Sequence, residues 1–278
     1  MNVRFFSLIA FLFFVLQSFA LAQMVNQEDT FSPAIEDNSF FIEEAYNQEE
    51  GIVQHISNAT YFKSPMKEFV FSFTQEWPLG SQKHQLSATI PYSSVGNPGI
   101  SGINDIMINY RYQLTDDPLN FVIAPRLSLI LPTGDISKGL GNGVLGWQTN
   151  LPVSKRLSDT FIIHFNAGVT FLPQVKGLDT AGNEVKKTLI AYNLGSSAIW
   201  LASYSFNFMM EVAENFNSEI DGTGTVVQAN ETVISPGMRY AIDINSLQIV
   251  PGFAVPFRIQ QGETQTGLFF YLSFEHPF

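Results

Sequence analysis

From Gly51 to the C-terminus the chain repeats one pattern. About ten residues alternate between large apolar and small or polar side chains, and a turn follows. Alternate residues of a β-strand point to opposite faces, so each repeat reads as a strand with one apolar face and one mixed face. Phe69, Phe71 and Phe73 alternate with Val70, Ser72 and Thr74. Phe161, Ile163, Phe165, Ala167, Val169 and Phe171 oppose His164, Asn166, Gly168 and Thr170. The same alternation runs through 86–92, 106–114, 121–131, 145–151, 190–200, 204–212, 234–240 and 247–255. With a less regular strand near 51–61 and the last segment, 266–278, the count is about twelve.

The environment of the apolar face decides the fold class. A soluble antiparallel sheet hides that face in a core and shows water the polar one. Here the apolar face is continuously large and aromatic: 26 Phe stand in a chain that is 45% hydrophobic. The second face is small, polar or charged. After the N-terminus no run reaches the roughly 20 apolar residues of a membrane-crossing helix. Strands of about ten residues match the apolar band of an outer membrane, and only a closed cylinder satisfies every backbone group in hydrocarbon. The expected fold is all-β: a closed antiparallel up-and-down transmembrane β-barrel of about 12 strands, spanning 51–278. The connections support it by alternating. Those at 78–82, 115–118, 154–159, near Ala202 and at 243–246 are short. Those at 93–102, 133–142, 173–187 and 217–230 are long, and 259–265 is intermediate. Long loops on one side are expected to face outside.

Two segments precede the barrel. Arg4, an apolar run of about twelve residues over 5–16 and the small-x-small set Ala20-Leu21-Ala22 read as a cleaved signal peptide, 1–22. Residues 23–50 carry Glu28, Asp29, Glu36, Asp37, Glu43, Glu44, Glu49 and Glu50 and no Lys or Arg. They read as an acidic periplasmic tail, with a plug inside the barrel as the other reading.

Several function classes fall away. A net charge of −11 argues against nucleic acid. The absence of cysteine excludes disulfides and thiolate metal sites. The four histidines lack ligand spacing, so neither metal nor cofactor is called for. Gly139-Leu-Gly141-Asn-Gly143 lacks the Lys-Ser/Thr of a phosphate loop. His55-Ile-Ser57 places the two groups of a hydrolase on one strand face, but without an orienting partner or an oxyanion site. The chain does not read as an enzyme.

The terminal strand ends on Phe278, and an aromatic end resembles the C-terminal assembly signal of bacterial outer-membrane barrels. His276 departs from that pattern, and Pro277 is expected to interrupt the ladder. Gly102-Ile-Asn-Asp105-Ile-Met-Ile-Asn-Tyr110-Arg-Tyr112 and Ala124-Pro125-Arg126-Leu-Ser-Leu-Ile-Leu-Pro132-Thr133-Gly134-Asp135 resemble the strand and loop motifs of the outer-membrane "transporter" barrels, also described as the meta-pathway phenol-degradation type. So do Ser235-Pro236-Gly237-Met-Arg239-Tyr240, Leu247-Gln248-Ile-Val-Pro251-Gly252, and Glu43-Glu44-Ala-Tyr46-Asn47-Gln48-Glu49 leading into Val53-Gln54-His55. The resemblance implies an outer-membrane barrel for uptake of small compounds, apolar or aromatic ones among them. Its partners would be outer-membrane lipid, the barrel-assembly machinery through the C-terminal strand, and a small-molecule solute.

With the apolar face in lipid, the other parity lines the lumen. That places Glu68, Glu76, Asp105, Arg111, Arg126, His164, Glu211, Arg239 and Glu275 inside, with Phe269 and Tyr271 as the evident aromatic pair. Confined charges need partners. They read either as ion pairs bracing the wall or as a constriction that selects solutes. A passive transport barrel, a non-conducting interaction barrel and a soluble secreted β-sandwich remain the three functional alternatives. The prolines within strands (Pro91, Pro125, Pro236, Pro251, Pro256) are expected to mark bulges or breaks in the wall.

Overall fold

The computed structural model describes residues 39–65, 67–96, 99–115 and 121–278. The signal segment 1–22 and residues 23–38 lie outside the described residues. Twelve antiparallel strands follow one another. They are β1 (Ile52–Phe62), β2 (Glu68–Pro78), β3 (His84–Gly96) and β4 (Gly99–Ile103 continuing as Ile106–Tyr112). Next come β5 (Val122–Ile123 continuing as Arg126–Leu131), β6 (Gly146–Ser158), β7 (Phe161–Leu178) and β8 (Glu184–Ser203). Then follow β9 (Phe206–Ile220), β10 (Val226–Tyr240 continuing as Ile242–Ile244), β11 (Leu247–Ala254 continuing as Phe257–Gln260) and β12 (Glu263–Pro277). Each pairs with its predecessor. β12 closes the cylinder on β1 in unbroken register, from Ile52 opposite Pro277 to Phe62 opposite Gly267.

Closure leaves no sheet edge, so the apolar parity is free to face outward. Phe165 is 46% exposed and Phe270 54%, whereas Phe269 and Tyr271 on the other parity of β12 are 2% and 4% exposed. The Phe- and Leu-rich set therefore forms the outer surface and does not share an interior.

Three expectations need correction. Pro277 does not interrupt the ladder: it pairs with Ile52, and the Phe278 N–H donates to the Gly51 carbonyl at 3.1 Å. His276 lies on the outer face, with its ring stacked on His55. The strand prolines need correction only in part: β5 is interrupted at 124–125 and β11 at 255–256, as breaks were expected, but the wall does not open there. The carbonyls of Pro91, Pro125, Pro236 and Pro256 accept from Asn104, Tyr112, Val255 and Gly267 at 2.8–3.1 Å, and Pro251 keeps its register opposite Leu272. A proline lacks the donor but keeps the acceptor, so each strand stays joined to its neighbour there. Most of the expected long loops are strand. Ser93 to Gly96 pair with Gly99 to Gly102, Leu178 pairs with Glu184, Ile220 with Val226, and Gln260 with Glu263. At about 3.4 Å per residue, β7 is roughly 60 Å long and rises well past the ~25 Å apolar band. Past that band Lys176, Glu184 and Lys186 stand exposed, without the large apolar residues of the outer face, so the alternation fades from the sequence while the ladder continues.

The long connection that remains runs over 132–145. Asp105 folds it: Oδ1 accepts from the Gly134 N–H at 3.0 Å, and Oδ2 from the Asn142 N–H at 2.7 Å. A Cβ on Gly134 would lie 2.2 Å from the Leu140 carbonyl oxygen, so this closure requires glycine there. Asp105, expected to line the lumen, holds this loop.

Candidate functional site

The inner parity carries amides, charges and glycines, and residues 39–50 run across the cylinder against them. Glu211 on β9 is 1% exposed, and its Oε1 accepts the N–H groups of Phe40, Phe41 and Ile42 at 3.0, 2.9 and 3.2 Å. Three successive backbone donors converging on one carboxylate form an anion nest in which the wall supplies the anion. The Ser39 hydroxyl donates to Ser197 on β8. The amide oxygen of Asn166 on β7 accepts the Glu43 N–H, and its NH₂ donates to the Glu43 carbonyl. Ser154 accepts from Ala45, Gln113 from Asn47, and Gln85 from Gln48. A strand-free segment at this depth must find partners for its backbone. Here the wall side chains supply them one by one.

Two arginines complete the docking. Arg111 on β4 and Arg126 on β5 are directly opposite in register, an arrangement that repels unless each finds its own anion. Arg111, 4% exposed, donates to Asn47 Oδ1 at 2.7 Å and to the carbonyls of Glu44 and Tyr46, and lies 3.5 Å from the Glu44 carboxylate. Arg126 meets the Glu43 carboxylate at 2.7 Å and donates to Asn109 and Gln148. Asn150 donates to the same Glu43 carboxylate at 2.7 Å. Burial alone pushes Glu43 up. Arg126 and Arg111, with the hydrogen bonds from Asn150 and Arg126, outweigh it and hold the carboxyl below its ordinary value. Burial pushes Glu44 up, and Arg111 does not fully offset it.

The remaining expected residues fall around this segment. His164 is fully buried, hydrogen-bonded through Nδ1 to Ser154 at 2.7 Å and edge-on to the Tyr46 ring. Arg239, 1% exposed, lies within electrostatic range of Glu44, Glu211 and Glu275. Gln54 donates to Glu275 near the end where the termini of β1 and β12 meet. Phe269 and Tyr271 hold the Phe40 ring at centroid distances of 4.9 and 5.3 Å. They form a dock for the segment, not a bare aromatic lining. Glu68 belongs elsewhere, paired at the opposite end of the barrel with Arg258.

Sequence reasoning missed the socket for Phe40, although glycine in a strand interior often marks the close approach of another group. A Cβ on Gly252 would lie 2.6 Å from the Phe40 ring, one on Gly237 2.7 Å from it, and one on Gly195 2.2 Å from Ile42 Cδ1. Gly252→Val is therefore expected to expel Phe40 at an overpacking cost of about 1–3 kcal/mol. The readout is faster hydrogen exchange at the Phe40, Phe41 and Ile42 amides. Unchanged exchange would show that the socket does not hold the ring.

On the loop side of the segment, toward 132–145, the wall leaves a cavity of about 250 Å³. Its floor is Phe41, Glu43 and Arg126, and its walls carry the side chains of Gln148, Thr170, Asn193, Asn215 and Asn217.

No family model and no curated protein matches the sequence. Solved structures do. The chain resembles an outer-membrane channel from Pseudomonas putida F1 with a TM-score of 0.61 and 11% identity, over 91% of this chain and 100% of that one. It also matches NanC porin with a TM-score of 0.49 and 8% identity, over 81% of this chain and 100% of that one. At 11% identity what the chain shares with the Pseudomonas putida channel is the fold, a closed antiparallel β-barrel of the bacterial outer-membrane type.

Proposed function

We propose that this protein is a passive outer-membrane channel for small solutes whose bore is narrowed by residues 39–50. One observation carries the reading: a cylinder that is apolar outside and lined with amides and charges inside, crossed by a segment bound mainly through side chains of the wall. The end where β1 begins and β12 finishes faces the periplasm, and the loop 132–145 faces outside. Assembly through β12, with Phe278 as its terminal signal, belongs to the same reading. Twelve strands enclose more than the side-chain-filled interior of eight and less than the water channel of sixteen, so an inward segment of this size governs the bore.

The test is swelling of proteoliposomes containing the full chain in isosmotic pentose, hexose and disaccharide. Slow swelling that falls off with solute size is expected. Vesicles as tight as lipid alone, with or without residues 23–50, would leave a barrel that conducts nothing. The docked segment is the observation that favours that second reading.

The two carboxylates give docking a pH optimum. Because Glu43 is held below its ordinary value, its contribution is complete above that value and is lost as pH falls through the lowered one. Glu44 is raised, so its contribution is complete below the ordinary value and is lost as pH rises through the raised one. Docking should be tightest at mildly acidic pH and loosen on either side. The measurement is single-channel conductance across a pH series, where a minimum is expected. A steady fall in conductance from acid to alkaline pH would contradict it.

A further inference from the structure

The cavity above the segment has a chemistry of its own. At about 250 Å³ it lies just under the ~300–1,000 Å³ of typical small-molecule sites, which suits a solute of one ring. Its charges are Glu43 and Arg126, and they cancel. Arg126 is also spent: Nε faces Glu43, one terminal nitrogen donates to Asn109 and Ser128, and the other to Gln148. An anionic solute would find no free cation there.

The walls are different. Thr170 accepts from Gln148 and keeps its own O–H for donation. Asn193 and Asn215 line the cavity, and each commits its amide NH₂, toward Asn150 and Glu231, which leaves the side-chain carbonyl oxygen as an acceptor. Asn217 is exposed at the cavity mouth. A side-chain amide presents both a donor and an acceptor, and a hydroxyl is likewise both. An apolar solute would strip water from these groups and return no hydrogen bond. The floor adds a flat apolar face, since Phe41 is fixed against Phe269 with ring centroids 4.9 Å apart. The Glu43 carboxylate beside it stays one-third exposed.

We infer that this cavity is a binding site for a neutral, hydroxyl-rich ring solute of monosaccharide size, its ring face on Phe41 and its hydroxyls on Thr170, Asn193, Asn215 and the Glu43 carboxylate. The inference deepens the channel reading and rests on it for the solute's route. It differs from the apolar or aromatic cargo that the sequence resemblance implies, because the wall amides would go unpaired against such cargo.

The test uses the full chain in a sugar-free detergent. Saturation-transfer NMR is recorded with methyl β-D-glucopyranoside, phenol and benzoate as probes. Saturable transfer to the glucoside is expected, at least fivefold weaker in Asn193→Leu/Asn215→Leu, with non-saturable signals for phenol and benzoate. Retained heat-dependent gel migration of the variant shows that the barrel is intact. Thr170→Val, a nearly isosteric change, serves as a second variant and should weaken the same signal. Equal glucoside binding by wild type and both folded variants, or saturable phenol binding without glucoside binding, overturns the inference. Proteoliposome swelling separates the two readings. Swelling without saturable glucoside binding sinks the site and keeps the channel. Saturable binding without swelling keeps the site and sinks the channel.

Discussion

Deleting residues 23–50 is expected to raise single-channel conductance several-fold and to shift ion selectivity toward anions. Residues 39–50 cross the interior and bind β3, β4, β6, β7, β8 and β9 through their inward side chains. Removing them returns that volume to water. It also removes Glu43 and Glu44, which neutralise Arg126 and Arg111. The two guanidiniums then face each other across adjacent strands without a counter-charge from the segment, and a ring of exposed arginine draws anions. Planar-bilayer recording gives the conductance, and the reversal potential in a salt gradient gives the selectivity. A deletion variant that retains heat-dependent gel migration but conducts no more than the full chain would refute narrowing by the segment. Should the deletion fail to assemble, Gly252→Val tests the same point with every other side chain in place.

Arg111→Ala is expected to release the segment by the largest margin of any single side-chain change. The guanidinium binds the Asn47 side chain, the Glu44 and Tyr46 carbonyls, Gln85 and the Glu44 carboxylate from one buried position. Removing one partner of a buried ion pair costs about 3–5 kcal/mol, because the other charge stays behind unpaired. At about 1.4 kcal/mol per factor of ten, exchange of the Ala45, Asn47 and Gln48 amides should speed up roughly a hundredfold or more. Arg111→Lys should recover little of this, because an ammonium lacks the planar fork that reaches several acceptors at once. Arg126→Ala should do less, since its partner Glu43 is partly exposed and also held by Asn150. Exchange unchanged in Arg111→Ala would mean that the other wall contacts, from Glu211 to Gln85, anchor the segment without it.

Which parts of this were readable before the fold follows from which interactions are local. Phe165 and Phe171 point outward, and His164 and Asn166 inward, because neighbours along one strand must alternate; any reader of the sequence sees that period. Strand count came from the same signal. Strand length did not. In 173–187 and 217–230 Lys176, Glu184 and Lys186 stand exposed while Val175 and Ala229 stay buried, so the large apolar face that marks a strand elsewhere is gone and residue order does not separate ladder from loop. The inward charges were read from parity, and parity along one strand names no partner. Asp105 faces a loop 29 residues downstream, and Glu211 faces Phe40, 171 residues upstream. The clues that did exist were unpaired ones: glycines at 195, 237 and 252 on an inward parity, and a run of acids at 43–50 with no basic residue near it in the chain.

The sequence by itself determined the membrane-facing surface and, through it, the closed cylinder. That outcome needs only a two-residue period and a solvent that cannot bond to backbone. Tertiary structure alone decided what the lumen holds. The side chains that line it come from strands far apart in the chain and converge only when β12 meets β1, and residues 39–50 gain their hydrogen bonds only once that wall exists.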